Sequence, residues 1–320
     1  MMDRIHEYLV LGINHHMMYP GVDRDEKYHV ETLKQVAHIE CFDILDMFLP
    51  QDKNLREEEI RIIRDSGKEV IYNSPLYYIN SEFFDPGSHD RDIFQRSIEE
   101  VSKHLYYSAQ AGAGKMVFAS AHIREDKSYD DQLNRFVDYT CALCQRAAEY
   151  GICMIVEPFD TQIDKKFFIG TSETTVKAVE RVKECGFDNI GILQDMAHIP
   201  LIGESFKEAL YTSKEHIHHI HLGNCVMRDK MNPFYGDMHP PLGINGGEND
   251  MTELEEFLSI LMDIGYIKKG LKNTVSIEAR PYPGTSSVTS ARVAYEKVCS
   301  AFESILVNQW KTEKERLKYV

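Results

Sequence analysis

The strongest constraint in this chain is a repeating pattern of short apolar runs separated by longer amphipathic stretches. The runs are YLVLGIN (8–14), CFDILDM (41–47), EVIYNS (69–74), KMVFAS (115–120), ICMIVE (152–157), IGILQD (190–195), HIHHIHL (216–222) and TVSIEA (274–279). Each has the length of a strand buried on both faces. Between them, apolar positions recur at three and four residues. That spacing predicts helices around 31–39, 56–66, 90–110, 129–150, 172–184, 205–214, 252–264 and 290–310. Thr171-Ser172 ahead of Glu173, and Asn249-Asp250 ahead of TELEEF, read as helix starts. Eight strand–helix units without a linker predict one (β/α)8 barrel over residues 1–320, with a polar tail from 307 to 320. A doubly wound open sheet is the competing topology, but no G-x-G-x-x-G follows the first strand. AGAGK (111–115) lacks the Walker spacing and precedes a strand, so it reads as a helix-to-strand turn.

Charge and cysteine usage narrow the function classes. The net charge is -15, and a nucleic-acid surface needs a basic footprint, so no nucleic-acid partner is expected. No run reaches the ~18 apolar residues of a membrane span, and the first 20 residues do not read as a signal peptide. The seven cysteines are odd in number and scattered. Cys141 and Cys144 form a C-x-x-C, but within a helical pattern and with no second pair nearby, so they read as helix residues. A reducing cytoplasm is the expected compartment.

Barrels of this kind carry their chemistry at the C-terminal ends of the strands. Those ends hold Asn14-His15-His16, Asp46, Asn73-Ser74, Ser120 to His122, Glu157, Asp195, His221 and Glu278. Glu157, Asp195, His221 and Glu278 close four consecutive strands and would face one mouth. Three carboxylates and an imidazole form a hard, oxygen-rich site suited to Mn²⁺, Mg²⁺ or Co²⁺ rather than a thiolate-type zinc site. His198 lies just beyond the sixth strand, as a support for the ligands or a substrate contact. His122 is the best-placed free base, because histidine titrates near neutrality. His216, His218 and His219 precede the end of their strand and are expected to be structural. The long segment from Asn224 to Gly247 reads as a loop over the mouth, with Asp237 and His239 facing substrate or serving as extra ligands.

The second half of the chain resembles the xylose isomerase-like barrels, which include sugar isomerases, epimerases and endonuclease IV-like enzymes. The matching pieces are IVEP with Glu157, LQDMAH with Asp195 and His198, HIHLGN with His221, GDMHPPLGINGGEND with Asp237 and His239, and SIEARP with Glu278. The resemblance implies one divalent metal, commonly Mn²⁺, held by Glu157, Asp195, His221 and Glu278, with Zn²⁺ among the alternatives. It also implies that Glu157 and Glu278 move protons on opposite faces of a sugar. The endonuclease branch would add His122, His198, Asp237 and His239 as zinc ligands. It would also carry a histidine where this chain has Asn73-Ser74. Ketose 3-epimerases carry a further glutamate after the fifth strand, where this chain has EPFDTQIDKKFF. A more particular resemblance is to catalytic α subunits of bacterial C-glycoside deglycosidases, which act on 3-oxo-glycosides beside a small β subunit. It implies self-association or such a partner.

The expected chemistry is therefore proton abstraction next to a sugar carbonyl, through an enediolate. Its outcomes are isomerisation, epimerisation or β-elimination of a 3-oxo-glycoside. His15, Asn73, His198, Asp237, His239 and Arg280 are the expected substrate contacts. A phosphodiesterase acting on abasic DNA and a non-catalytic carbohydrate-binding barrel are the alternatives.

Overall fold

The computed structural model describes residues 2–76 and 81–316. A 3-10 turn (Met2–Glu7) leads into β1 (Leu9–Asn14), α1 (His15–Met18), α2 (Glu26–Ala37), β2 (Ile44–Met47), α3 (Lys53–Ser66) and β3 (Glu69–Asn73). Then come α4 (Arg91–Gln110), β4 (Lys115–Phe118), α5 (Tyr129–Ala148), β5 (Cys153–Val156), α6 (Ser172–Glu184) and β6 (Ile190–Asp195). The chain continues through α7 (His198–Ile202), α8 (Phe206–Ser213), β7 (Ile217–Leu222), α9 (Met251–Asp263), β8 (Asn273–Ile277) and α10 (Ser287–Arg316). The strands form a closed barrel in sequence order. All pairs are parallel, and β1 closes on β8 with Leu9 opposite Asn273 and Ile13 opposite Ile277.

Every predicted strand is present. The predicted polar tail continues helix α10 to Arg316; its last four positions, 317–320, lie outside the described residues. Helix α2 starts earlier than its apolar period suggests, at Glu26. The Asp25 carboxylate accepts from the Lys27 and Tyr28 amides and so satisfies the free N–H groups of the first turn. The first four residues of AGAGK form a turn between α4 and β4, with Gly112 at φ 75°, and its Lys115 opens β4. The short helices α1 and α7 have too few residues for periodicity to register.

Alternation along the strands sets the contents of the barrel. Ile44, Ile71, Val117, Ile155 and Leu193 form an apolar layer inside it. Two residues further on, the same faces present Asp46, Asn73, Ala119, Glu157 and Asp195. A polar layer thus sits directly on an apolar one. Gly12 belongs to the lower layer, where a Cβ would come within 2.4 Å of Ser276 Oγ and 2.8 Å of Ile44 Cβ. The outward-facing residues join the helices in a continuous core that includes Leu11, Phe42, Leu143, Phe257 and Phe302. Among the described residues, no helix is long and apolar enough to cross a membrane.

Candidate metal centre

Glu157, Asp195, His221 and Glu278 come together at the C-terminal end of the barrel. Each offers one donor atom, and these atoms all lie within 4.8 Å of one another. His221 Nδ1 is the hub. It lies 2.5 Å from Glu278 Oε2, 3.5 Å from Asp195 Oδ2 and 3.7 Å from Glu157 Oε1. His221 Nδ1, Asp195 Oδ2 and Glu278 Oε2 are buried and have no hydrogen-bond partner beyond one another. Buried polar atoms of this kind are costly unless something satisfies them.

The other side of His221 explains its orientation. Its Nε2 is 2.9 Å from Asp46 Oδ2, and the same oxygen lies 3.0 Å from His219 Nε2. His219 is in turn fixed by its Nδ1, 2.8 Å from Thr274 Oγ1. With the Nε2 proton on Asp46, the Nδ1 lone pair faces the three carboxylates. This is the carboxylate–histidine arrangement that prepares an imidazole to ligate a metal. Glu278 is held as well, since the Asn14 amide donates to its Oε1 at 3.0 Å, leaving Oε2 for the cluster. The donor set, with three atoms that have no partner outside it, fits a divalent cation. Without one, burial opposes a charged His221, but Glu278 and Asp46 outweigh burial and hold it well above the ordinary histidine value. A proton then takes the place a metal would take.

A second group adjoins this one. His198 Nδ1 is 3.5 Å from Glu157 Oε1, and its Nε2 is 3.1 Å from Asp237 Oδ1. His239 Nε2 reaches the same Asp237 oxygen at 2.7 Å. Burial opposes charge on both imidazoles, but Asp237, Asp195 and the neighbouring glutamates prevail. They push His198 up to about 10 and His239 up to about 9. Both groups border a cavity of about 570 Å³ that has Phe48, Leu76 and Phe159 on its apolar side.

The sequence pattern of the xylose isomerase-like TIM barrel family matches residues 33–296. The chain belongs to that family. No curated protein matches it. Among solved structures, this xylose isomerase-like barrel is similar to 3-keto-D-glucoside 4-epimerase from E. coli, at 14% identity and a TM-score of 0.65, covering 92% of this chain and 99% of that one. It is similar to an L-ribulose 3-epimerase at 17% identity and a TM-score of 0.68, covering 97% of this chain and 98% of the other. An AP endonuclease of family 2 from Brucella melitensis gives 17% identity and a TM-score of 0.63, covering 88% and 95%. At these identities the likeness shows the fold.

Not every expected site residue of this xylose isomerase-like barrel reaches the cavity. His198, Asp237, His239, Arg280 and Asn73 line it. Asn73 does so while its amide donates to Asp46 Oδ1, so it also braces the support of His221. His15 does not line the cavity. It is fully buried behind the wall, its Nε2 2.8 Å from Thr32 Oγ1 and its ring edge-on to His29. His16 takes the lining position instead, because α1 begins at residue 15 and breaks the strand alternation. His122 is not at the centre either. Strand β4 ends at Phe118, and His122 sits on the rim, exposed and bridged to Phe167, with Nδ1 2.8 Å from Lys165 O.

Asn14 and Asp46 stand at strand ends in the sequence, but their parts as supports of Glu278 and His221 carry no sequence signal. Lys165 has no such signal either, because it lies in a loop rich in charge.

Proposed function

We propose that this barrel is a divalent-metal-dependent carbohydrate enzyme that moves a proton on the carbon next to a sugar carbonyl. The observation that carries the reading is the convergence of Glu157, Asp195, His221 and Glu278, three of whose buried donor atoms have no hydrogen-bond partner outside the cluster. A divalent ion held by these four would supply Lewis-acid polarisation of the carbonyl and of the hydroxyl beside it, and their hard donors favour Mn²⁺ or Mg²⁺.

The chain's own groups do the rest. Glu157 borders both the cluster and the cavity, and it accepts the proton from carbon. Asn14 ties one oxygen of Glu278, so Glu278 is the more fixed carboxylate, serving the opposite face of the sugar. His198, His239 and Arg280 bind substrate oxygens, and Phe48, Leu76 and Phe159 cover the less polar side. Return of the proton to the enediolate gives an isomer or an epimer. In a 3-oxo-glycoside, the same enolate can instead expel its β-substituent. The carbonyl then re-forms, and a double bond forms between the carbon that lost its proton and the carbon that bore the aglycone. The bond to the aglycone breaks with its electron pair leaving on the aglycone, and the proton held by Glu157 passes to the aglycone.

The similar epimerases support carbohydrate as the substrate class. Phe48, Leu76 and Phe159 in the lining of the 570 Å³ cavity offer apolar surface for the aglycone of a glycoside. Phosphodiester cleavage is disfavoured by Asn73, whose amide is committed to Asp46, and by the net charge of -15. Free cysteines suit a reducing, cytoplasmic setting, and association with itself or with a small second subunit belongs to the same proposal.

The test is incubation of metal-loaded protein with 3-oxo-glucosides and, separately, free ketoses in D₂O, followed by NMR. Deuterium entering the carbon next to the carbonyl is the expected result. Its absence with both classes would remove the proton-transfer reading.

A further inference from the structure

Asp195 belongs to two donor groups. Besides the four-residue cluster, Asp195, His198 and His239 also bring ligand atoms within 4.8 Å of one another. The Nε2 atoms of His198 and His239 are 3.3 Å apart, and Asp237 Oδ1 faces both. By composition, two imidazoles and two buried carboxylates could take a second divalent ion.

The other oxygen of Asp237 has a partner. Lys165 Nζ lies 2.7 Å from Asp237 Oδ2 and 3.6 Å from Asp164 Oδ2. That same Asp164 oxygen accepts from the Asp237 backbone amide at 3.1 Å, so the two loops are fastened at this point. The lysine is held rather than loosely placed. Asp160 accepts from the backbone amides of Gln162 and Asp164 at 3.1 and 2.8 Å, and from the Lys165 amide at 2.8 Å. A rigid turn after β5 therefore delivers one ammonium to the carboxylate that would complete a second metal site.

We propose that Lys165 is the built-in cation of this second group and limits the barrel to one divalent metal per chain. The inference rests on the metal reading above. An ammonium on Oδ2 already neutralises Asp237, and a divalent ion between the imidazoles and Oδ1 would sit beside that like charge in a buried setting. The consequence is functional. With no metal on them, His198 and His239 keep their Nε2 atoms for hydrogen bonds to Asp237 and to substrate oxygens. The barrel then has the single-ion centre of a sugar enzyme and lacks the several ions a phosphodiester would call for.

Metal stoichiometry tests this directly. Wild type, K165M, K165Q and K165R are dialysed to equilibrium against Mn²⁺ and, separately, Zn²⁺, and bound metal is counted by mass spectrometry. One ion per chain is expected in wild type and K165R. Two are expected in K165M, falling to one again in K165M/H239A. K165Q retains a donor to Asp237 without the charge, carries the same expectation as K165M, and serves if K165M does not fold. Two ions in wild type, or one ion in both neutral variants, would overturn the role of Lys165. No ion in wild type would instead overturn the metal reading on which it rests.

Discussion

Asp46 on β2 holds His221 on β7 across the inside of the barrel, Oδ2 to Nε2 at 2.9 Å, although 175 positions separate them. The contact makes a strand that contributes no proposed ligand part of the centre, since it decides which nitrogen of His221 faces the carboxylates. Carboxylates placed behind a ligating histidine typically contribute 10–100-fold to metal affinity. We therefore expect D46N to bind Mn²⁺ roughly 10–100-fold more weakly by calorimetric titration. Unchanged affinity would show that His221 is oriented by something else.

Glu157 and Glu278 differ in how they are held, and substitution separates their roles. Glu157 has an oxygen 3.5 Å from His198 Nδ1, whereas Glu278 is fixed by Asn14. E157Q should slow deuterium exchange into substrate by about 10²–10⁴-fold, the usual worth of a general base. The circular dichroism spectrum should not change. Exchange at the wild-type rate in E157Q would move the base to another residue.

The long loop after β7 depends on Asn224. Its amide donates to Pro241 O at 2.9 Å and its carbonyl accepts from the Asn249 amide at 2.8 Å. Gly247 packs against that side chain so closely that a Cβ there would lie 2.4 Å from Asn224 Nδ2. Removing the side chain leaves buried backbone groups unpaired, at about 1–3 kcal/mol. N224A should lose stability of that order in urea unfolding, and its KM should rise because Asp237 and His239 ride on the same loop. A KM equal to wild type would separate the loop from substrate binding.

His104 gives the fold an acid limit remote from the centre. Burial holds it near 4, with Tyr72 Oη 2.8 Å from its Nδ1. In the unfolded chain it takes a proton below about 6.5. Unfolding therefore takes up a proton between about pH 6.5 and 4, and stability falls as pH drops through that window. Above it, this contribution is constant. Melting temperatures measured from pH 7 to pH 4 should decline less steeply in H104Q than in wild type. Equal slopes would place the acid sensitivity elsewhere.

The barrel and the convergence of Glu157, Asp195, His221 and Glu278 at its mouth were legible because both follow from local rules. Strand ends can be read from where an apolar run stops, and alternation then decides which side chain faces inward. Glu157, Asp195, His221 and Glu278 each obey that rule on their own strand. His122 and His15 lie away from the cavity for a local reason too. β4 stops at Phe118, four residues before His122, and α1 begins at His15, so strand alternation no longer applies at either position.

What the sequence determined by itself was the period of the fold, the depth of each donor along its strand, and the acidic character of the site. These depend on hydrophobic spacing within about ten residues. Only the tertiary structure decided that Asp46 supports His221, that Asn14 fixes one oxygen of Glu278, and that Lys165 meets Asp237. Each of these is a contact between side chains far apart in sequence. Closure of the sheet brings the first two pairs together, and loop packing over the mouth brings the third. A hydrogen bond or ion pair leaves no periodic trace in either partner's neighbours, so its existence is settled by distance in the folded chain.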